Sequence, residues 1–394
     1  MKKFLKFIPI LVLLIVLIIV FVINKDVRLS TKNKITKSGE YTFTGKVSDM
    51  IYVDVSGEVN ITLDNVTVSL DNSPCIYVKN GIVTINLLGK NNLSDGKTYS
   101  INDEKVDGVI FSKDDLIIEG DGVLNIVSNY KNGIVSNDVL TINGGEINIE
   151  SVNNAIKVND EFILNDGTLN LRSENKGIKS ENVVNINGGV INVSDSYEGI
   201  EGKTININDG IVNITSSDDG INAVNKESTS GEFVNDGSLL NITGGIITID
   251  ASKDGVDSNG DIIMSGGTLV INGPVSDGDG SIDKNGTFTM IGGTLLAGGM
   301  SGMAEMPTSG QNSVMIKFTN TISNKTIYIK QNDKTILQYS SNKKFDNLVL
   351  SSEELESGTY QIYIDDEEYE SFTINGVNTI VGKSNNFNKR GGGR

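Results

Sequence analysis

The chain has 394 residues, with 50 acidic against 33 basic side chains and a formal net charge of −17. That balance argues against a nucleic-acid partner, which would need a basic face. Histidine and tryptophan are absent and Cys75 is the single cysteine, so an imidazole base, a Ser-His or Cys-His pair, a His-containing zinc site and an intrachain disulfide are all excluded.

The first predicted element is an uncharged apolar run from Phe7 to Ile23, preceded by Lys2, Lys3 and Lys6. Its length of about 17 residues gives roughly 25 Å of helix, enough to span a bilayer. Neither a small-residue cleavage site nor a cysteine follows, so residues 1–25 read as an uncleaved signal-anchor with its positive end inside. A cleaved signal peptide is the alternative. Either way the rest of the chain is expected outside the cytoplasm, at the cell surface. Residues 26–58 read as a linker and cap.

From residue 59 to 299 one pattern recurs. "INGGEINIES" (142–151), "LNDGTLNLRS" (164–173), "INGGVINVSD" (186–195), "INDGIVNITS" (207–216), "ITGGIITIDA" (242–251) and "MSGGTLVING" (264–273) are its clear copies. Their second turn residues, Gly145, Gly167, Gly189, Gly210, Gly245 and Gly267, set a period near 22, with one longer interval that holds "VNKESTSGEFVND" (224–236). A second marker keeps step: Gly133, Ala155, Gly177, Gly199, Gly220 and Gly255, each followed by Ile or Val. Within a unit the apolar residues alternate with period two, which predicts three short strands per unit. One such unit cannot bury its apolar face alone, whereas units stacked about 4.8 Å apart can. The expected fold is all-β: a parallel β-helix of about 22 residues per coil. The turn asparagines (Asn143, Asn165, Asn187, Asn208) read as structural, suited to positive φ and to side-chain stacking. Residues 59–97 read as earlier, less regular coils. Residues 300–310 are a linker, 311–382 a small β module that closes the C-terminal end, and 383–394 a disordered tail.

Two columns of the repeat carry the polar chemistry. Two residues after the marker stand Val135, Lys157, Lys179, Glu201, Asn222 and Asp257, with Asp283 after a one-residue shift. Just before it stand Asn132, Asn154, Lys176, Glu198, Asp219 and Asp254. The ridge turns from basic to acidic toward the C-terminal coils, where "SSDDGINA" (216–223), "SKDGVDSNGD" (252–261) and "SDGDGSIDKNG" (276–286) follow one another. Stacked carboxylates repel, and a hard dication relieves that repulsion; calcium takes six to eight oxygens from such mixtures. The candidate ligands are Asp218, Asp219, Asn222, Asp254, Asp257, Asp261, Asp277, Asp279 and Asp283. Plain polar turns are the competing reading. An EF-hand is rejected, because Phe288 occupies the place of its bidentate acid. Lys157, Arg172, Lys176 and Lys179 are the basic candidates, either as ligand contacts or as the base of a uronate lyase. Tyr130 and Tyr197 are the only Tyr or Trp between 116 and 298, so sugar recognition there leans on hydrogen bonds and ions, with Tyr197 beside the ridge.

The runs "SSDDGINA", "ITGGIITIDASKDGVDSNGDIIMSGGTLVINGP" and "GDGSIDKNGTFTMIGGTLLAGGMSGMAEMPTSG", with "LESGTYQIYI" near the end, resemble a clostridial family of cell-surface carbohydrate-binding proteins with a polysaccharide-lyase-like right-handed β-helix. The resemblance implies a calcium-binding, non-catalytic protein that binds cellulose or acidic plant polysaccharides; the chain is expected to be a monomer. It places Asp218, Asp219, Asp254, Asp257, Asp277, Asp279 and Asp283 near calcium. Two other readings are a calcium-dependent uronate lyase and a structural surface protein without a glycan ligand.

Overall fold

The computed structural model describes residues 33–101, 103, 105–231 and 233–382. The expected signal-anchor and the expected disordered tail lie outside them. The described residues form strands and turns without an α-helix, so none of their helices is long and apolar enough to cross a membrane.

The chain is a parallel β-solenoid. A central coil has three strands, such as Val139–Ile142, Glu146–Ser151 and Ile156–Val158, which lie on a first, second and third face. Each pairs in parallel with its counterpart one coil on. On the first face Ile142 aligns with Leu164, then Ile186, Ile207, Ile242, Met264 and Met290. The intervals are 22, 22, 21, 35, 22 and 26 residues, so the predicted period holds and the longest interval contains the 224–236 insertion. The solenoid starts earlier than the predicted residue 59: Lys34–Ile35 and Gly39–Val47 already pair in parallel with Ile51–Ser69. Those first coils lack the Gly-Gly turns, so the repeat does not reveal them.

Inward positions on all three faces are aliphatic and almost entirely buried. The third face stacks Ile134, Ile156, Ile178, Ile200, Ile221, Val256 and Ile282. The turn between the first and second faces places Gly145 and Gly189 at φ +86° and +72°, where a side chain is strained. The second marker has another cause. A Cβ on Gly220 would lie 2.3 Å from Cγ2 of Ile249 and 2.5 Å from the Gly255 carbonyl, so this column lets the third face approach the second.

At the C-terminal end, Phe345–Ser351 pairs antiparallel with Phe288–Gly299, the last long strand of the stack, and with Ser313–Ile322. A separate antiparallel sheet of Lys325–Gln331, Lys334–Ser341, Gly358–Ile364 and Glu367–Ile374 follows. Its apolar face, including Tyr360, Ile362 and Ile327, shares a second core with Leu348 and Leu350.

Candidate functional site

One outward column of the third face runs the length of the solenoid in continuous register: Tyr52, Tyr77, Phe111, Val135, Lys157, Lys179, Glu201, Asn222, Asp257 and Asp283. Its chemistry changes from aromatic to basic to acidic along the axis. The rings at its start stack edge to face, with centroids 5.5 and 5.9 Å apart, beneath Val106. Asp283 aligns with Asp257 without the shift expected from the sequence, because the extra residues of that coil bulge out ahead of Ser281.

The residues just before the marker form the neighbouring column, and here the acids crowd. Glu198, Asp218 and Asp219 each place one carboxylate oxygen within 4.8 Å of the others. Backbone amides hold the rungs: the Asp254 N–H donates to Asp219 Oδ1 at 3.2 Å, and the Gly280 N–H donates to Asp254 Oδ1 at 2.6 Å. Burial pushes the Asp219 carboxyl up to about 8, and the charges of Asp218 and Asp254 add to it. Burial likewise raises Asp257 to about 7, with Asp283 adding repulsion. Asp254 rises to about 6, mainly through burial and against the Gly280 hydrogen bond. Among the described residues none of these three forms an ion pair with Lys or Arg, whereas Asp218 pairs with Lys253.

Asn222 adds a neutral oxygen. Its amide donates to Glu198 Oε2 at 3.3 Å, while its Oδ1 is buried and accepts no hydrogen bond. An orphaned carbonyl beside crowded carboxylates, only some of them paired with a lysine, is a donor set that suits a hard dication. The residues present therefore fit calcium, with Glu198, Asp218, Asp219 and Asn222 at the centre and Asp254 and Asp257 on the next coil. Glu198 carries no name among the predicted ligands, although the column that shows Asp219 shows it too.

The other predicted ligands lie further out. Asp283 ends the outward column, and Asp279 faces Asp254 across the turn while accepting from Ser276 Oγ at 2.7 Å. Asp277 is exposed in that turn. Asp261 sits at the start of a first-face strand, where it accepts from both the backbone and hydroxyl of Thr287 at 2.7 and 2.9 Å. Those bonds hold its carboxyl below the usual range, and the opposite end of the coil segment separates it from the acidic ladder.

The predicted basic patch divides. Lys176 is buried between Glu198 Oε2 at 2.7 Å and Glu201 Oε2 at 2.8 Å. Lys226, from the 224–236 insertion, also reaches Glu201. Lys157 pairs with Asp107 at 3.4 Å and Lys179 with Glu181. Arg172 belongs to the second face, around a corner from the lysines, with Nε 3.4 Å from Asp195 and Nη1 3.9 Å from Glu150. Tyr197 stands at the same corner, about half exposed, and the Asp218 carboxylate holds its phenol above the ordinary range. A residue that the Tyr and Trp census misses is Phe233. It is 79% exposed on the insertion loop, in a wall shared with Asp257 and Asp283.

A family profile described as carbohydrate-binding domain-containing protein matches residues 30–280. A protein of that description from Acetivibrio thermocellus is 39% identical over 127 residues, or 30% of this chain. The matched segment spans 44% of that relative's length. A solved structure of a polysaccharide lyase-like protein from C. thermocellum, a gadolinium derivative, is 25% identical, covering 70% of this chain and 89% of that one with a TM-score of 0.42.

Proposed function

Since the chain belongs to the family of carbohydrate-binding domain-containing proteins, we propose that it is a non-catalytic polysaccharide-binding protein of the cell surface that holds calcium on its late coils. The observation that carries the calcium assignment is the orphaned Oδ1 of Asn222 in a crowd of carboxylates, of which Asp219, Asp254 and Asp257 have no cationic partner among the described residues while Glu198 and Asp218 are held by Lys176 and Lys253. Calcium there would neutralise the stacked acids and lock three coils together. It would also offer open coordination positions to hydroxyl or carboxylate oxygens of cellulose-like or uronate chains.

The lyase reading needs a lysine that is neutral in the ground state. Two lysines touch the acids: Lys253 joins Asp218, which raises its pKa, and Lys176 joins Glu198. Burial alone would lower the pKa of Lys176, but the hydrogen bonds it donates to Glu198 and Glu201 outweigh burial and hold it above the usual range. An ammonium so held accepts no proton, which supports binding rather than elimination. The N-terminal apolar run would tether the protein to the membrane.

The test is thermal unfolding of the exported chain with calcium and with EDTA, paired with binding to insoluble cellulose and to polygalacturonate. We expect the midpoint to rise by several degrees with calcium, and at least one of the polymers to retain the protein. Equal midpoints in both buffers would remove the metal from this reading. Release of unsaturated, ultraviolet-absorbing product from pectate would replace binding with catalysis.

A further inference from the structure

A second concavity lies around the corner from the acidic ladder, where the second face turns toward the third. It is an open groove of about 370 Å³ that crosses five successive coils parallel to the solenoid axis. One wall is a column in register: Val127, Glu150, Arg172 and Asp195. Its floor is a column of small residues, with Ser128, Ser151 and Ser173 in register and Ser196 next in line after the Arg172–Asp195 pair. The opposite wall carries Val152, Glu174 and Tyr197, each the residue that follows a floor serine.

Three observations point to a ligand. The floor hydroxyls of Ser173 and Ser196 have no hydrogen-bond partner although both residues are at least nine-tenths buried. A serine side chain turns about a single bond, so a change of rotamer brings either hydroxyl to a molecule lying in the groove. The walls present Val127, Val152 and Tyr197 at 42, 41 and 44% exposure, apolar surface of the kind that packs on a sugar ring. The floor serine recurs once per coil, at about 4.8 Å, close to the advance per residue of an extended pyranose chain.

Charge selects the class. Three carboxylates (Glu150, Glu174, Asp195) face one guanidinium, and Arg172 is already shared between Glu150 and Asp195. A polyuronate would meet net repulsion here, whereas the hydroxyls of a neutral chain can bond to carboxylates and to Arg172. We propose that this groove is a subsite for a neutral, extended polysaccharide that lies along the solenoid axis, one sugar per coil, with Tyr197 as its stacking ring. The proposal rests on the carbohydrate-binding reading and names the ligand class and position within it.

The test is calorimetric titration of the full chain, in calcium, with cellohexaose, xylohexaose, mannohexaose and hexagalacturonate. The variants are Tyr197→Ala, which removes the ring, and Val152→Arg, which fills the groove two coils away from an exposed position. Circular dichroism verifies their fold. At least one neutral hexasaccharide is expected to bind. Tyr197→Ala should weaken it about tenfold, the worth of one stacked ring, and Val152→Arg should weaken it by at least as much. A neutral hexasaccharide that binds both variants within about twofold of the unmodified chain overturns the groove and leaves carbohydrate binding standing. Binding of hexagalacturonate alone overturns it in the same way. Binding of none of the four overturns the groove and the carbohydrate reading together.

Discussion

Asp219, Asp254 and Asp257 show how the stack changes the behaviour of an ordinary residue. In the unfolded chain each carboxyl titrates near 3.9. In the fold burial and mutual repulsion raise them to about 8, 6 and 7. Between about pH 4 and pH 8 the folded protein therefore holds more protons than the unfolded one, and linkage makes its stability fall as pH rises through that window. The prediction concerns denaturation midpoints in EDTA, which should drop from pH 5 to pH 8, with a shallower drop for Asp219→Asn. Calcium should flatten the slope, because the ion compensates the ionised form. A midpoint in EDTA that rises over the same range would mean that the acids are not packed as described. Residue identities in this ladder were legible from the columns of the repeat. Their pairing was not: Lys176 and Glu198 are adjacent rungs of one column, yet nothing in the letters says that the lysine turns into Glu198 and Glu201 rather than outward to a ligand.

At the scale of elements, the stack is cross-braced by asparagine. On the second face Asn148 donates to Asn125, Asn170 to Asn148, Asn192 to Asn170 and Asn213 to Asn192, at 2.8 to 3.0 Å. The turn asparagines make a second such run from Asn143 to Asn208. Each interior amide gives one hydrogen bond and receives one, while Asn213 only gives. With a net value of about 1 kcal/mol per bond, Asn170→Ala should cost about 2 kcal/mol and Asn213→Ala about 1 kcal/mol, measured by urea unfolding. Equal losses would show that the ladder does not act as paired bonds. The strands, their number per coil and the stacking of asparagines all follow from period-two alternation inside a 22-residue repeat. The corner at which a residue sits does not follow so easily. Arg172 and Lys176 are four residues apart, but the turn between Ser173 and Lys176 sends them to different faces. The floor serines recur at the spacing of the repeat, but nothing in the letters says that two of them lack partners.

For the whole molecule, the main hazard of a solenoid is its open ends. The last coil strand, Phe288–Gly299, is covered by antiparallel pairing with Phe345–Ser351, and the sheet ends two strands further on at Asn378–Val381. Removing residues 311–394 would uncover that edge together with Leu296, Val314's former partner in the second core. The truncated chain should self-associate, as read by light scattering after size exclusion. A monomer with an unchanged unfolding midpoint would show that the edge needs no cover. Closure at this end was expected from the change of composition near Gln311, whereas the early coils from Lys34 were hidden by the irregularity of their turns.

The unbroken register of the third-face column has one more consequence. From Tyr52 to Asn222 there are seven steps, which at about 4.8 Å per step place the acidic coils on the order of 30 Å from the coil of Tyr52. That is several screening lengths at physiological salt, where the Debye length is about 8 Å. Were the proposed N-terminal anchor to hold the chain with the solenoid axis upright on a membrane, the protein would act as a stiff spacer. Its acidic coils would then lie beyond the electrical reach of a negatively charged surface beneath it, so the ions they meet would be those of the surrounding medium.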